Sequence, residues 1–90
     1  MGRTHTEQKL LARKIEAAKS KVTIGAKYRH HKSIDKEYTV VGFGFLEANE
    51  ELCVIYQAEY GERLTFVRPL SVWLETVEWE NKRVPRFSKI

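Results

Sequence analysis

Apolar residues near the N-terminus recur with the period of one face of an α-helix. Four of them follow one another at intervals of three or four residues: Leu11, Ile15, Ala18 and Val22. The pattern predicts an amphipathic helix over about residues 5–20. The segment from Thr4 to Glu7 has the form of a capping box, which would begin this helix. Because an isolated helix of this length is marginal in water, we expect its apolar stripe to pack on the rest of the protein.

Farther along the chain, apolar and polar residues alternate with the period of two that is typical of β-strands. The predicted strands and a closing segment cover residues 36–46, 52–60, 64–67, 76–79 and 84–90. A single helical turn is predicted at residues 71–74. Strict alternation in the first strand would place Val40 on one face with Gly42 and Gly44, and Phe43 on the other. Paired glycines on one face indicate a bend or another group packed closely on the backbone.

Short strands joined by tight turns and bent by paired glycines are typical of small barrels and curled antiparallel sheets. We therefore predict a mostly β (α+β) fold: a small SH3-like or curled antiparallel β-barrel with an N-terminal amphipathic helix. Residues 1–21 would form the basic helix, appended to the barrel and packing on it, and residues 22–90 would form the barrel domain. A barrel this small buries only a modest core, so the helix is expected to cap it.

Composition limits the classes of protein to which the chain can belong. The 90 residues are enough for one small domain, and 42% of them are hydrophobic, as in a folded protein. No run approaches the roughly 18–20 apolar residues of a membrane span, and no apolar signal core follows the N-terminus. The single cysteine, Cys53, excludes an internal disulfide, so a reducing cytoplasm is the expected compartment. Its place in an apolar strand predicts a small hydrophobe rather than a nucleophile.

Charge is segregated into blocks along the chain. Residues 1–32 carry nine Lys and Arg against two acids, residues 33–80 carry three against ten, and residues 81–90 carry four basic residues. The pattern favours basic ends that lie against an acidic middle or against an acidic partner. Residues 1–21 alone hold six Lys and Arg against two acids, whereas residues 22–90 hold ten of each sign and are neutral. We therefore expect a polyanion to bind the helix first.

Several blocks of sequence, in the same order, resemble a known bacterial family. The blocks are YRHHK (28–32), YTVVG (38–42), VIYQAEYG (54–61), FVRPL (66–70), WLE (73–75) and VPRF (84–87). Over residues 22–90 the chain is similar to the domain of unknown function number 1653, and the first helix lies outside the resemblance. The resemblance implies a small, mostly β bacterial domain and brings no settled activity, ligand or catalytic residue. The chain departs from the family pattern at His31, where Tyr is usual, and at residues 46–49, which lack a polar His-Ser-Glu-Thr-like stretch.

Residues 28–32 combine one aromatic side chain with four potential donors, the types that stack on bases and contact phosphates. In a strand, Tyr28, His30 and Lys32 would share one face and Arg29 the other, so the patch is split. The alternative is a structural strand whose tyrosine packs inward and whose charges meet water or the acidic middle. The candidate ligand or partner contacts are Tyr28, Arg29, His30, Lys32, Tyr56, Arg68 and Arg86. The candidate nucleic-acid contacts are Arg13, Lys14, Lys19, Lys21, Arg29 and Lys32.

Arg68 follows Phe66 on the same predicted strand face, so its guanidinium emerges beside an aromatic ring. It could pair with Glu59 or Glu75 as a structural clamp, or present its planar donor fork to a carboxylate or phosphate. Arg86 offers the same choice near the C-terminus. A further set of aromatic residues could line a pocket, although the core of so small a domain is their expected place. The set is Tyr28, Tyr38, Tyr56, Tyr60, Trp73 and Trp79.

No pattern in the sequence identifies a catalytic site, a metal site or a cofactor site. Adjacent His30 and His31 would point to opposite faces of a strand, and no second cysteine or histidine lies at metal-binding spacing from them. A phosphate-cradling glycine loop and a nucleophile elbow are absent. We therefore expect a non-catalytic cytoplasmic binding module that recognises a protein or peptide. The alternatives are nucleic-acid binding through the basic helix and residues 28–32, and a small-ligand site or enzyme around Arg68.

Overall fold

The computed structural model describes residues 5–90, with side chains from Gln8 onward, so the predicted capping box lies outside the described side chains. In chain order the elements are α1 (His5–Lys19), β1 (Lys27–His30), β2 (Ser33–Phe45), β3 (Leu52–Ala58), β4 (Thr65–Pro69), α2 (Leu70–Trp73), β5 (Thr76–Trp79), β6 (Lys82–Pro85) and β7 (Phe87–Lys89). The predicted helix, strands and helical turn are all present within a few residues of their expected bounds. The closing segment is divided into two strands at Arg86.

The strands form two antiparallel sheets. The larger sheet has the order β4-β3-β2-β1-β7, and β5 and β6 form a separate two-stranded hairpin. The predicted mostly β fold with an N-terminal helix is confirmed. The larger sheet is open rather than closed into a barrel, since β4 and β7 lie at its two edges and do not pair with each other. The chain between these two strands forms α2 and the hairpin instead.

A β-bulge in β2 interrupts its pairing with β3. Val40 pairs with Tyr56, but Gly42 pairs with Ile55, the next residue along β3. Val41 is therefore an extra residue that faces no partner in the ladder. A bulge bends the strand and increases its twist, which gives this long strand the curl that the sequence predicted.

Beyond the bulge, the residues of β2 point to the faces opposite to those predicted. Phe43 packs against the core on the same side as Val40, and Gly42 and Gly44 lie on the other side. The predicted grouping of these glycines with Val40 is wrong, because the extra residue shifts the alternation by one position. The predicted close packing on a glycine is present at Gly44, where Cδ1 of Ile55 lies 3.1 Å from the position that a Cβ atom would take.

The core covers one side of the larger sheet, which we call the inner face. The buried residues of the core cluster are Val22, Tyr28, Val40, Val54, Tyr56, Trp73 and Phe87. The ring of Trp73, from α2, stacks on Phe87 with 3.8 Å between centroids. Tyr28 packs edge-on against Trp73 at 5.3 Å, and its hydroxyl accepts a hydrogen bond from the N–H of Thr23 at 2.9 Å. Aromatic side chains thus supply much of the core volume, as expected for so small a domain.

The end of α1 packs on one end of the sheet. Ala18 is almost fully buried and Val22 is fully buried, whereas Leu11 and Ile15 are half-buried. A shallow depression separates the helix from the sheet and is lined by Lys14, Ala17, Ala18, Lys21, Leu52 and Leu70. The apolar stripe predicted from the sequence therefore faces the domain, and its contact is closest at the end of the helix.

Candidate ligand site on the inner face

Strand register places Arg68 and His30 on the inner face. Arg68, on the edge strand β4, pairs with Val54, and His30, on β1, pairs with Phe87 of β7. Directly paired residues of neighbouring strands lie on the same face of a sheet. Val54 and Phe87 both belong to the core cluster. Two predicted contact residues that are far apart in the sequence therefore lie on one surface.

The guanidinium of Arg68 is held from two sides. Its Nε donates a hydrogen bond to the hydroxyl of Tyr56 at 3.2 Å, and its Cζ lies over the ring of Phe87, 5.2 Å from the ring centroid. The ring of His30 packs edge-on against the same phenylalanine, with 5.1 Å between centroids. An arginine that is bonded through Nε and stacked on a ring keeps its planar fork in a defined orientation.

Of the two roles that the sequence left open for Arg68, the pairing with Glu59 or Glu75 is not formed in the structure. Glu59 pairs with Arg63 at 2.8 Å, and Glu75 pairs with Arg86 at the same distance. Both carboxylates are therefore engaged by other arginines. Among the described residues, no hydrogen bond or ion pair engages the terminal nitrogens of Arg68.

His30 is neutral at neutral pH because of its surroundings. Burial, together with the positive charges of His31, Arg68, Arg86 and Lys32, lowers the pKa of His30 to about 4. Its Nδ1 accepts a hydrogen bond from the backbone N–H of Lys32 at 3.2 Å. The hydrogen of the neutral ring is therefore on Nε2, which is left as a donor.

Arg86 is anchored to the segment around α2. Its Nε donates to the carbonyl of Val72 at 3.2 Å, and its Nη2 donates to the carboxylate of Glu75 at 2.8 Å. Its backbone N–H donates to the carbonyl of Glu75, and its carbonyl accepts from the N–H of His31. Arg86 thus fixes the junction between β6 and β7 and adds positive charge near His30.

Two tyrosines extend the aromatic surface outward from the core. The hydroxyls of Tyr38 and Tyr60 lie 2.7 Å apart and share a hydrogen bond. Burial and this hydrogen bond raise the pKa of Tyr38 to about 12, so the phenol stays protonated. Tyr60 is 37% exposed, and the ammonium of Lys36 lies 5.1 Å from the centroid of its ring.

A small depression of about 100 Å³ lies beside Tyr60. It is lined by Ala58, Tyr60, Gly61, Glu62, Leu64 and Phe66. Leu64, just before the edge strand β4, and Phe66, within it, are both exposed. Exposed apolar side chains around a concave surface are typical of sites that receive an apolar group.

Within the part of the chain that the structure describes, no strand pairs with the outer edge of β4. The N–H of Ala58 donates to the carbonyl of Leu64, which fixes the phase of the ladder between β3 and β4. In an antiparallel ladder the residues that bond to the neighbour alternate, so the N–H and C=O of Thr65 and Val67 point away from β3. Both residues are exposed, as is the residue between them. Pro69 ends this edge, because proline has no N–H to offer.

The structure brings some of the predicted contact residues together and separates others. Those on or beside the inner-face site are His30, Lys32, Tyr56, Arg68 and Arg86. Tyr56 is buried and acts on the site through its hydroxyl. Tyr28 is also buried and belongs to the core, while Arg29 is exposed on the outer face, so neither joins the site.

The predicted nucleic-acid contacts do not form one continuous surface. Four of them are exposed on α1 or just after it: Arg13, Lys14, Lys19 and Lys21. The end of α1 lies beside Leu52, which pairs with the last residue of β2. Lys32 lies at the other end of β2, in the turn after β1, and Arg29 lies on the outer face. The length of β2 therefore separates the two groups.

Tyr38 and Tyr60 belong to the aromatic set for which the sequence indicated a possible pocket, whereas Phe66 was not predicted as a contact residue. Alternation placed Tyr60 on the face of Tyr56, but only the strand register brings Tyr38 against both of them. A usable signal was Pro69, since a proline at the end of a strand is typical of an edge strand. Phe66 lies in this edge strand and is 39% exposed.

Cys53 lies within β3. The thiol is buried, and burial raises its pKa.

Among the described residues, no three His, Cys, Asp or Glu side chains come together as they would around a metal ion. In the same part of the chain, no helix is long and apolar enough to cross a membrane.

The fold and the site define a small, mostly β domain whose open antiparallel sheet carries an arginine on an aromatic inner face. The family model "Protein of unknown function (DUF1653)" matches residues 26–89, and the chain belongs to this family. A crystal structure of a DUF1653 protein from Bordetella bronchiseptica is similar in fold, with a TM-score of 0.66 and 26% sequence identity over 78% of this chain and 90% of that chain. No curated protein matches the sequence. The resemblance stated from the sequence is confirmed.

Proposed function

We propose that this domain is a non-catalytic binding module that recognises an extended peptide segment of a partner protein. The peptide would add to the free edge of β4 and lie beside the inner face. The observation that carries the proposal is the outward backbone edge at Thr65 and Val67, next to the exposed ring of Phe66 and the depression beside Tyr60. Strand addition of this kind takes its affinity from backbone hydrogen bonds and its specificity from pockets for alternate side chains.

The charges at this edge favour a peptide over a nucleic acid. Binding to nucleic acid relies on several cations that contact successive phosphates. Here the carboxylates of Glu59 and Glu62 lie among the cations, and Arg63 is paired with Glu59. A bacterial cytoplasm remains the proposed compartment, because the cysteine of the described chain, Cys53, is a free thiol.

The proposal is tested by selection of peptides from a random library displayed on phage, with the purified chain as bait. Selected peptides, labelled with a dye, are then titrated by fluorescence anisotropy. We expect Phe66→Ser to weaken binding by about tenfold or more, since truncation of an aromatic anchor removes a large part of the binding energy. Val67→Pro is expected to weaken binding as well, because it removes an outward N–H without removing a hydrogen bond to β3.

Ile34→Ser is the matched control, because Ile34 is 72% exposed and lies at the start of β2, away from this edge. It should change the affinity by less than about twofold, as expected for a surface substitution outside the contact. Failure to select any peptide would contradict the proposal, and so would peptides that are insensitive to both Phe66→Ser and Val67→Pro. A concentration-dependent dimer that Val67→Pro abolishes would assign the edge to a second copy of this chain instead.

A further inference from the structure

We infer that Arg68 and His30 form an anion subsite on the inner face, which takes a carboxylate group of the bound peptide. The inference rests on the proposed function, because it assigns one chemical group of that ligand to one place on the surface. It is carried by a partly buried guanidinium whose terminal nitrogens engage no described residue. A side-chain carboxylate of Asp or Glu and the C-terminal carboxylate share this chemistry.

The donors of Arg68 are in place before a ligand arrives. Its Nε donates to the hydroxyl of Tyr56 at 3.2 Å, and its Cζ lies over the ring of Phe87, 5.2 Å from the centroid. The Nη N–H groups remain as donors in a fixed fork that matches the two oxygens of a carboxylate. Donors that are already oriented lose less side-chain entropy when an anion binds.

The charges around this place are unbalanced in the positive direction. The cations of Arg68, Arg86 and Lys32 all act on His30, and no carboxylate of the described residues is among the charges that shift its pKa. The nearest acidic partner of Arg86, Glu75, is already engaged with it at 2.8 Å. A partly buried cation without a counter-ion is costly, and an incoming carboxylate offsets that cost.

His30 supplies a second donor from another strand. Its Nδ1 accepts the N–H of Lys32, so Nε2 carries the hydrogen and can donate to an oxygen atom. His30 and Arg68 both contact Phe87, at 5.1 Å and 5.2 Å from the ring centroid. On its other side the ring of His30 is 4.3 Å from that of His31, which limits its rotation. Two donors from different strands thus lie beside the same phenylalanine ring.

The test uses one phage-selected peptide in several synthetic forms, in which each carboxylate in turn is neutralised by amidation or by Asn or Gln. We expect one of these changes to weaken binding by about tenfold or more, as for a lost charge-assisted pair. Arg68→Met should weaken binding of the parent peptide to the same extent and have little further effect on the neutralised one. Arg68→Lys keeps the charge but loses the fork, and should recover only part of the affinity.

Arg29→Met is the matched control, since Arg29 is exposed on the opposite face, and it should leave the affinity unchanged. Thermal unfolding of each variant shows whether it is folded. A peptide that responds to Phe66→Ser but not to Arg68→Met, Arg68→Lys or the loss of any carboxylate would overturn the subsite and leave the peptide site intact. A peptide in which phosphoserine replaces the critical acidic residue and binds more tightly than the parent would also overturn the assignment to a carboxylate.

The subsite can also be tested if no peptide is selected. Sodium acetate is then titrated into the chain, and the NMR signals of the Arg68 Nε–H and the His30 ring are followed. Saturable shifts of both signals, with the shift of the His30 ring absent in Arg68→Met, would support the subsite even though the proposed function had failed. Shifts that are linear in acetate concentration, or a shift of the His30 ring that is equal in Arg29→Met and Arg68→Met, would overturn it.

Discussion

At the scale of single residues, the pKa of His30 couples the stability of the domain to pH. This pKa is 6.5 in the absence of the fold and about 4 in the folded protein, because of burial and the neighbouring positive charges. Between these two values, falling pH protonates the unfolded chain but not the folded one, so the folded state loses stability. We therefore expect the free energy of unfolding, measured by urea denaturation, to decrease from pH 7 to pH 5.

The variant His30→Asn should remove most of this decrease. An amide oxygen can accept the N–H of Lys32 in place of Nδ1, and the amide does not titrate. Glu59, whose pKa is lowered chiefly by the hydroxyl of Thr39, contributes stability that is lost only as the pH falls below its ordinary value of 4.5. Between pH 7 and pH 5, the change in stability therefore comes from His30 and not from Glu59. An unchanged pH dependence in His30→Asn would show that another group is responsible.

At the scale of secondary-structure elements, the β5–β6 hairpin has an unfavourable residue in its turn. Trp79 pairs with Lys82, and the two residues between them, Glu80 and Asn81, have φ values of 52° and 66°. Such a turn favours Asn-Gly, because both residues are left-handed. Glu80→Asn is expected to raise the free energy of unfolding by about 0.5–1 kcal/mol. Urea denaturation measures the change, and Glu62→Asn is a control with the same change of charge in a turn residue without positive φ. Equal effects of the two substitutions would contradict this explanation.

Periodicity predicted the elements of this domain better than the faces of the longest strand. The shared face of Phe66 and Arg68 followed from the sequence, since alternation holds along a short strand without a bulge. The bulge at Val41 did not follow, because a valine there looks like its neighbour and the extra residue is defined only by pairing with β3. The partners of Arg68 could not be predicted from the sequence either. Glu75 pairs with Arg86 because α2 and the hairpin bring them together, and no local sequence pattern predicts that packing.

At the scale of the whole molecule, the excess positive charge belongs to the N-terminal segment that contains α1. Residues 1–21 have six Lys and Arg against two acids, and residues 22–90 are neutral. The exposed cations of α1 lie at the end of the sheet near Leu52, whereas His30 lies at the opposite end of the β1–β2 pair. The family match begins at residue 26 and leaves the helix out. Helix and sheet are therefore separate candidates for contact with a charged partner.

We expect the affinity for polyanions to depend on the cations of α1 rather than on the net charge of the whole protein. The salt concentration that elutes a protein from a heparin column measures this affinity, because each cation that contacts the polyanion adds to the salt dependence. The double substitution Lys14→Glu and Lys21→Glu should lower the elution concentration strongly, since both side chains are exposed, one on α1 and the other two residues after its end. Lys36→Glu with Lys82→Glu changes the net charge equally on the sheet and hairpin, and should lower it much less. Equal elution of the two double variants, both folded by circular dichroism, would mean that affinity depends on net charge and not on the helix.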